Sequence, residues 1–323
     1  MTFAIGIEDV REAAARIAGR AHRTPLMTCG TLDRVARRRL FFKCEQLQKV
    51  GAFKFRGACN AVLSLSEAEA GRGVVTHSSG NHAQALALAA SMRGIAAHVV
   101  MPSTSIAVKR RAVEGYGARI IECEPTLEAR EATAAAVVEE TGGTFIHPYD
   151  RAEIMAGQGT AALELMEAVP DLDAVVAPVG GGGLLSGTAV ASRGMRPGIR
   201  VFAGEPEGAD DAFRSKEAGE FIPQTAPRTI ADGLLTSMGE LTWPIIRDRV
   251  EAVVTVDDEA VVAAMRLLWE RAKCLVEPSS AVALAAVLDD AFPGPDELPA
   301  VGIILSGGNV DLDRLPWRMN ASM

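Results

Sequence analysis

Short apolar runs with strand character alternate with helical stretches along most of this 323-residue chain. Residues 74–76, 97–101, 119–123, 174–178, 201–204 and 301–305 read as strands, and residues 83–92, 106–116 and 127–141 as helices. Buried strands joined through helices need crossover connections, so the pattern predicts parallel sheet in an α/β fold. No stretch rich in proline, glycine or serine divides the chain, and no internal repeat is present. Two sheets in two domains are expected at this length, with the boundary crossed more than once.

Charge and composition narrow the function classes. The formal net charge is −8 and no basic block stands out. Nucleic acid is a poor partner for such a surface, because binding it requires cations that displace counterions. No apolar run approaches the roughly 20 residues that span a bilayer. Residues 1–20 read as an amphipathic helix without a signal peptide's apolar centre. The cysteines, Cys29, Cys44, Cys59, Cys123 and Cys274, are odd in number and lack CxxC spacing. Reduced thiols in a cytoplasmic setting follow.

Three loops and one lysine carry the chemistry. Lys54 lies in Gly51-Ala52-Phe53-Lys54-Phe55-Arg56-Gly57, an apolar, glycine-flanked turn leading into a helix. An amine there suits a Schiff base with an aldehyde, although an ordinary surface lysine shares the pattern. Gly180, Gly181, Gly182 and Gly183 follow the strand 174–178 and precede Leu184 and a helix. Such a loop aims backbone N–H groups and a helix dipole at one anion. A GxGxxG reading from Gly180 meets Leu185 at its last glycine, and a P-loop reading meets Thr188 where lysine belongs. A phosphate monoester fits better than either nucleotide motif, and a ligand-free tight turn is the plain alternative. Ser78-Ser79-Gly80-Asn81-His82 also links a strand to a helix. It suits a carboxylate, or simple capping by Ser79 or Asn81. Ser306, after the last strand, suits a ring nitrogen or an ordinary turn. Glu205 to Asp211 reads as a solvated acidic turn on its own.

Taken together, these residues resemble the fold-type II pyridoxal-phosphate enzymes, in the branch of serine/threonine dehydratases, serine racemases and hydroxyaspartate dehydratases. The resemblance runs from His22-Arg23-Thr24-Pro25-Leu26 to Ser306-Gly307-Gly308-Asn309, and includes Thr229-Ile230-Ala231-Asp232-Gly233 and Val276-Glu277-Pro278-Ser279. It implies a tryptophan synthase β-like fold. Residues 1–72 and 151–323 would form the large cofactor domain and residues 73–150 the small substrate-loop domain.

The resemblance also implies roles. Lys54 would carry pyridoxal 5'-phosphate as a Schiff base, with Phe53 and Asn81 against its ring and Ser306 facing the ring nitrogen. Gly180, Gly181, Gly182, Gly183 and Leu184 would bind the phosphate. Ser78, Ser79, Asn81 and His82 would hold the substrate carboxylate, with Arg130 and Ser237 at further substrate positions. Ser79 matches the second acid/base of racemases, which must act on the face opposite the lysine. Glu205, the carbonyl of Ala209 and Asp211 would bind magnesium or calcium, hard ions that take oxygen ligands. Ala52 departs from the serine common at that position. The expected activity is dehydration of serine, threonine or 3-hydroxyaspartate to a 2-oxo acid and ammonia, in a homodimer. Amino-acid racemisation and a catalytically silent ligand-binding protein are the alternatives.

Overall fold

The computed structural model describes residues 3–105 and 107–319. Among the described residues ten strands form two sheets. The first six in chain order are β1 (Leu26–Met27), β2 (Arg39–Cys44), β3 (Val74–His77), β4 (Ala97–Pro102), β5 (Arg119–Cys123) and β6 (Thr144–Phe145). Then come β7 (Ala174–Pro178), β8 (Arg200–Pro206), β9 (Ala252–Val256) and β10 (Ala300–Leu305). The larger sheet runs β1-β2-β10-β7-β8-β9 and the smaller β5-β4-β3-β6. Every neighbouring pair is parallel except β1 with β2. The α/β expectation therefore holds.

The central strands β3, β7 and β10 are buried at every position, as parallel strands covered on both faces must be. The helix Leu127–Thr141 has the bounds expected, because Thr126 caps it through the Ala129 amide and Gly142 ends it at φ 66°. The helix expected over 106–116 runs Ala107–Gly115, and Ile106 lies outside the described residues. The amphipathic N-terminal helix spans Ile7–Ile17, with Met1 and Thr2 also outside them. No helix among the described residues is long and apolar enough to cross a membrane. All five cysteines are free.

One apolar cluster lies under the helices Ile7–Ile17, Ala152–Ala168 and Gly183–Met195, and a second under Asp258–Leu267 and Pro278–Leu288. A third joins the small sheet to the helices Lys54–Ser64 and Asn81–Arg93. The helix Lys54–Ser64 packs on both Ala152–Ala168 and Asn81–Arg93, so it bridges the two sheets. Gly57 meets Gly157 at the first crossing, where a Cβ on Gly157 would come within 2.6 Å of the Gly57 Cα. The loops that leave β2, β3, β7, β8 and β10 emerge at the strands' carboxyl ends, the face where open parallel sheets form their sites.

Candidate active site

The turn before Lys54 is built around β10. Ala52 forms an isolated bridge with Gly307, the Phe53 amide donates to the Ser306 carbonyl at 2.9 Å, and the Gly308 amide donates to Gly51 at 2.9 Å. Ala52 is fully buried there, with its methyl group packed toward Gly307. Val50 is left-handed at φ 57°, a costly conformation for a β-branched residue. Its carbonyl is held by the Asn309 amide group at 2.7 Å. The same nitrogen donates to Asn81 Oδ1 at 2.8 Å, and Asn81 Nδ2 donates to Glu277 at 2.8 Å. Asn81 is thus clamped from both ends of its amide by residues of the far part of the chain.

Lys54 Nζ donates to the Pro148 carbonyl at 2.8 Å and lies 5.2 Å from the centre of the Phe53 ring. Burial pulls its pKa down to about 8, against the raising effect of Glu277. Desolvation disfavours the charged amine, so a sizeable neutral fraction exists near pH 8. This supplies the burial that an activated lysine requires.

The glycine loop is buried from residue 180 through 185. Among the described residues none of its amides finds an acceptor in the chain, and the first bond of the following helix is Ser186 N–H to Gly182 O at 2.8 Å. Buried unpaired donors are costly, and here they gather at a helix N-terminus that favours an anion. Gly182 is left-handed at φ 86°. A Cβ on Gly181 would collide with the ring of Tyr149, which packs beneath the loop. Tyr149 also lies 6.0 Å from Lys54 Nζ, and so joins the loop to the lysine.

The loop Ser78-Ser79-Gly80-Asn81-His82 follows β3 as expected. Ser78 Oγ accepts the Gly80 amide at 3.3 Å, whereas the Ser79 hydroxyl has no hydrogen bond among the described residues. His82 is buried and its ring lies near Ile146 O, with Nδ1 unpartnered among the described residues. Burial, then the Lys54 charge, holds His82 well below its ordinary pKa. His77 and His147 are also lowered, His147 to about 4, mainly by burial. His147 Nδ1 accepts the amides of Tyr149 and Asp150 at 3.3 and 2.9 Å, so the neutral ring carries its proton on Nε2. Arg130 lies within electrostatic reach of His77, and the only hydrogen bond of its guanidinium among the described residues is to the carbonyl of Thr126, the cap of its own helix. Ser237 Oγ accepts the Gln224 amide at 2.8 Å, and nothing in its contacts joins it to Lys54.

Glu205 is the penultimate residue of β8 and, like Asp211, is fully buried, with Ala209 buried between them in sequence. Glu205 accepts the amides of Ala212 and Phe213 at 2.9 and 2.7 Å. Asp211 Oδ2 accepts the Met238 amide at 2.9 Å, while Oδ1 is buried without a partner among the described residues. Burial raises both carboxyls, Glu205 well above its ordinary range and Asp211 to about 6. Among the described residues no group of three His, Cys, Asp or Glu side chains is arranged to hold a metal.

The profile of the pyridoxal-phosphate dependent enzymes matches residues 17–307. The chain belongs to this family. It is 49% identical over 318 residues to a serine racemase of Dictyostelium discoideum, covering 98% of each. It is 50% identical over 312 residues to a β-hydroxyaspartate dehydratase of Paracoccus denitrificans, covering 96% of this chain and 98% of that protein. The structure of maize serine racemase superposes with a TM-score of 0.95 at 48% identity, covering 99% of this chain and 98% of that one. Membership brings pyridoxal phosphate as the cofactor, and the chain fits it. The amides of residues 180–185 await an anion, and a desolvated amine stands across Tyr149 from them.

Glu277, Asn309, His147, Tyr149 and Asp150 are the parts of the site without a sequence-derived role. Asn309 and Glu277 lie inside motifs quoted for the resemblance, whereas His147-Pro148-Tyr149-Asp150 follows a two-residue strand with no pattern to mark it.

Proposed function

We propose that this protein is a pyridoxal-phosphate-dependent dehydratase of small β-hydroxy-α-amino acids, working as a cytoplasmic homodimer. The observation that carries the reading is Lys54, a buried amine lowered to about 8 beside a loop of unpaired buried amides. The amides of residues 180–184 would hold the phosphate, and Phe53, Asn81 and Ser306 would hold the ring. Bound pyridoxal phosphate supplies an electron sink for the pair left when the Cα–H bond breaks. Lys54 takes the Cα proton on its neutral amine. Ser78, Ser79, Asn81 and His82 hold the carboxylate and fix that bond toward Lys54 Nζ. Loss of the β-hydroxyl then leads to a 2-oxo acid and ammonia.

Arg130 supports 3-hydroxyaspartate within the substrate class, because its guanidinium has no carboxylate partner among the described residues. The relative named β-hydroxyaspartate dehydratase supports the same reading. Magnesium or calcium at Glu205, the Ala209 carbonyl and Asp211 is part of the proposal, supported by the unpartnered Asp211 Oδ1. Oxo-acid release from L- and D-serine, threonine and the 3-hydroxyaspartate isomers, with and without magnesium, tests it. Turnover of a hydroxy amino acid is expected, and a coloured protein that releases no oxo acid from any of them refutes the dehydratase.

Racemisation is the second reading, favoured by the Ser79 hydroxyl, which has no hydrogen bond among the described residues. Ser79→Ala is expected to remove interconversion of D- and L-serine while sparing much of the elimination from the L-isomer. Equal retention of both activities excludes a two-base role for Ser79.

A further inference from the structure

The segment His147-Pro148-Tyr149-Asp150 carries the chain from β6 of the small sheet into the helix Ala152–Ala168. Each residue grips a different piece of the site. His147 accepts the two amides that follow it, Pro148 accepts from Lys54, Tyr149 packs under the glycine loop, and Asp150 reaches the segment before the helix Thr242–Arg249. Asp150 Oδ1 accepts the amides of Leu241 and Thr242 at 2.9 and 3.3 Å, and Oδ2 accepts that of Glu240 at 3.0 Å. These amides precede the first intrahelical bond, so a carboxylate is the favoured partner for them.

Thr242, oriented in this way, is fully buried against the glycine loop. Its Oγ1 donates to the Gly181 carbonyl at 3.0 Å, nearer than the Gly239 carbonyl at 3.2 Å, and accepts the Gly239 amide at 2.8 Å. Its own carbonyl accepts from Ser186 Oγ at 3.3 Å. The Gly181 C=O and the Gly182 N–H belong to one planar trans peptide and point in opposite directions. Holding the carbonyl on Thr242 therefore turns the Gly182 N–H away from Thr242.

We propose that Asp150 is a positioning residue that sets the phosphate grip of the glycine loop through Thr242. This deepens the cofactor assignment above and rests on it. The Asp150 carboxylate is taken up by the amides of residues 240–242. It fixes the helix end that fixes Thr242, and Thr242 aims the Gly182 amide.

The test titrates the full-length apo-protein and its variants with pyridoxal 5'-phosphate and, separately, with phosphate-free pyridoxal, following imine absorbance. Asp150→Ala and Thr242→Val are each expected to weaken the phosphate ester's binding about tenfold, the scale of one lost hydrogen bond in a charged site. Binding of pyridoxal is expected to stay at the wild-type value, so the preference for the ester falls by the same factor. Thr242→Ser, which keeps the hydroxyl, is expected to retain wild-type preference. Equal weakening of both ligands marks a merely structural cap and overturns the proposal, as does an unchanged preference. Should Asp150→Ala fail to fold, Thr242→Val and Thr242→Ser decide the matter. A wild-type protein that binds neither aldehyde ends the cofactor assignment as well, whereas binding with unaltered variants ends only the role of Asp150.

Discussion

Two cations stand two residues apart at the start of one helix and live under opposite conditions. Arg56 is fully buried and saturated. Its guanidinium meets both oxygens of Glu45 at 2.6 and 2.8 Å and both of Glu164 at 2.8 and 2.9 Å, with Thr160 and His22 O beyond them. Lys43 completes the cluster on Glu164 at 2.6 Å. Burial works against the charges, but Arg56 outweighs it and keeps Glu45 below the ordinary carboxyl range. Lys54 has one carbonyl for a partner, and burial takes its pKa down to about 8. The scaffold's charge is fully compensated, and the working amine is left short of partners.

The carboxylates repeat the contrast. Glu45 is held ionised by Arg56, while burial raises Glu205 and Asp211, with no cation beside them strong enough to reverse it. Glycine-loop amides without acceptors belong with Lys54 and Asp211. Buried polar groups are normally satisfied, so those left open mark where ligands are expected.

Separating the two classes by mutation is the sharpest way to break this comparison. Lys54→Ala is expected to lower turnover by roughly 10³-fold or more, since base and covalent anchor are both removed. Its thermal unfolding temperature is expected to stay level or rise, because an undercompensated amine is lost. Arg56→Ala is expected to cost about 3–5 kcal/mol in urea unfolding, the range for stranding a buried ionic partner. If Lys54→Ala destabilises as much as Arg56→Ala, the division between working and supporting charge is wrong.

A smaller effect concerns the acidic pair. Magnesium or calcium at about a hundred times its dissociation constant is expected to stabilise the protein by about 2.7 kcal/mol. Asp211→Asn is expected to erase that response, and a melting temperature indifferent to both ions would remove the metal from the proposal.

The smallest expected effect is one of pH. His147 is lowered from 6.5 to about 4, so the unfolded chain takes up this proton first as pH falls. Its contribution is present above about pH 6.5 and is lost as pH drops toward 4. His147→Gln is expected to shallow the acid side of the stability curve. An unchanged acid limb would mean that His147 is not held neutral by the fold.

Much of the sheet framework was readable because buried parallel strands are largely apolar along their length, as β7 and β10 show. β2 escapes that reading for a physical reason. Lys43 sits inside it, buried on Glu164, a partner 121 residues away. A lysine in a strand looks like a surface residue until its counter-ion is located. β6 is two residues long and β1 equally short, too little for any period to register. The loops after β3, β7 and β10 were legible because glycine, serine and asparagine crowd there in unusual density. The clamp of Asn81 by Asn309 and Glu277, and the grip of Asp150 on the amides of residues 240–242, join common residue types across long separations. Only the folded chain shows what those residues do.

The central claim is the covalent partnership of Lys54 with an aldehyde whose phosphate rests on the glycine loop. Purified protein loaded with pyridoxal phosphate, reduced with borohydride, digested and mapped by mass spectrometry tests it directly. A phosphopyridoxyl group is expected on the peptide that contains Lys54. The same group on another lysine, or no labelled peptide from a protein loaded to saturation, would contradict it.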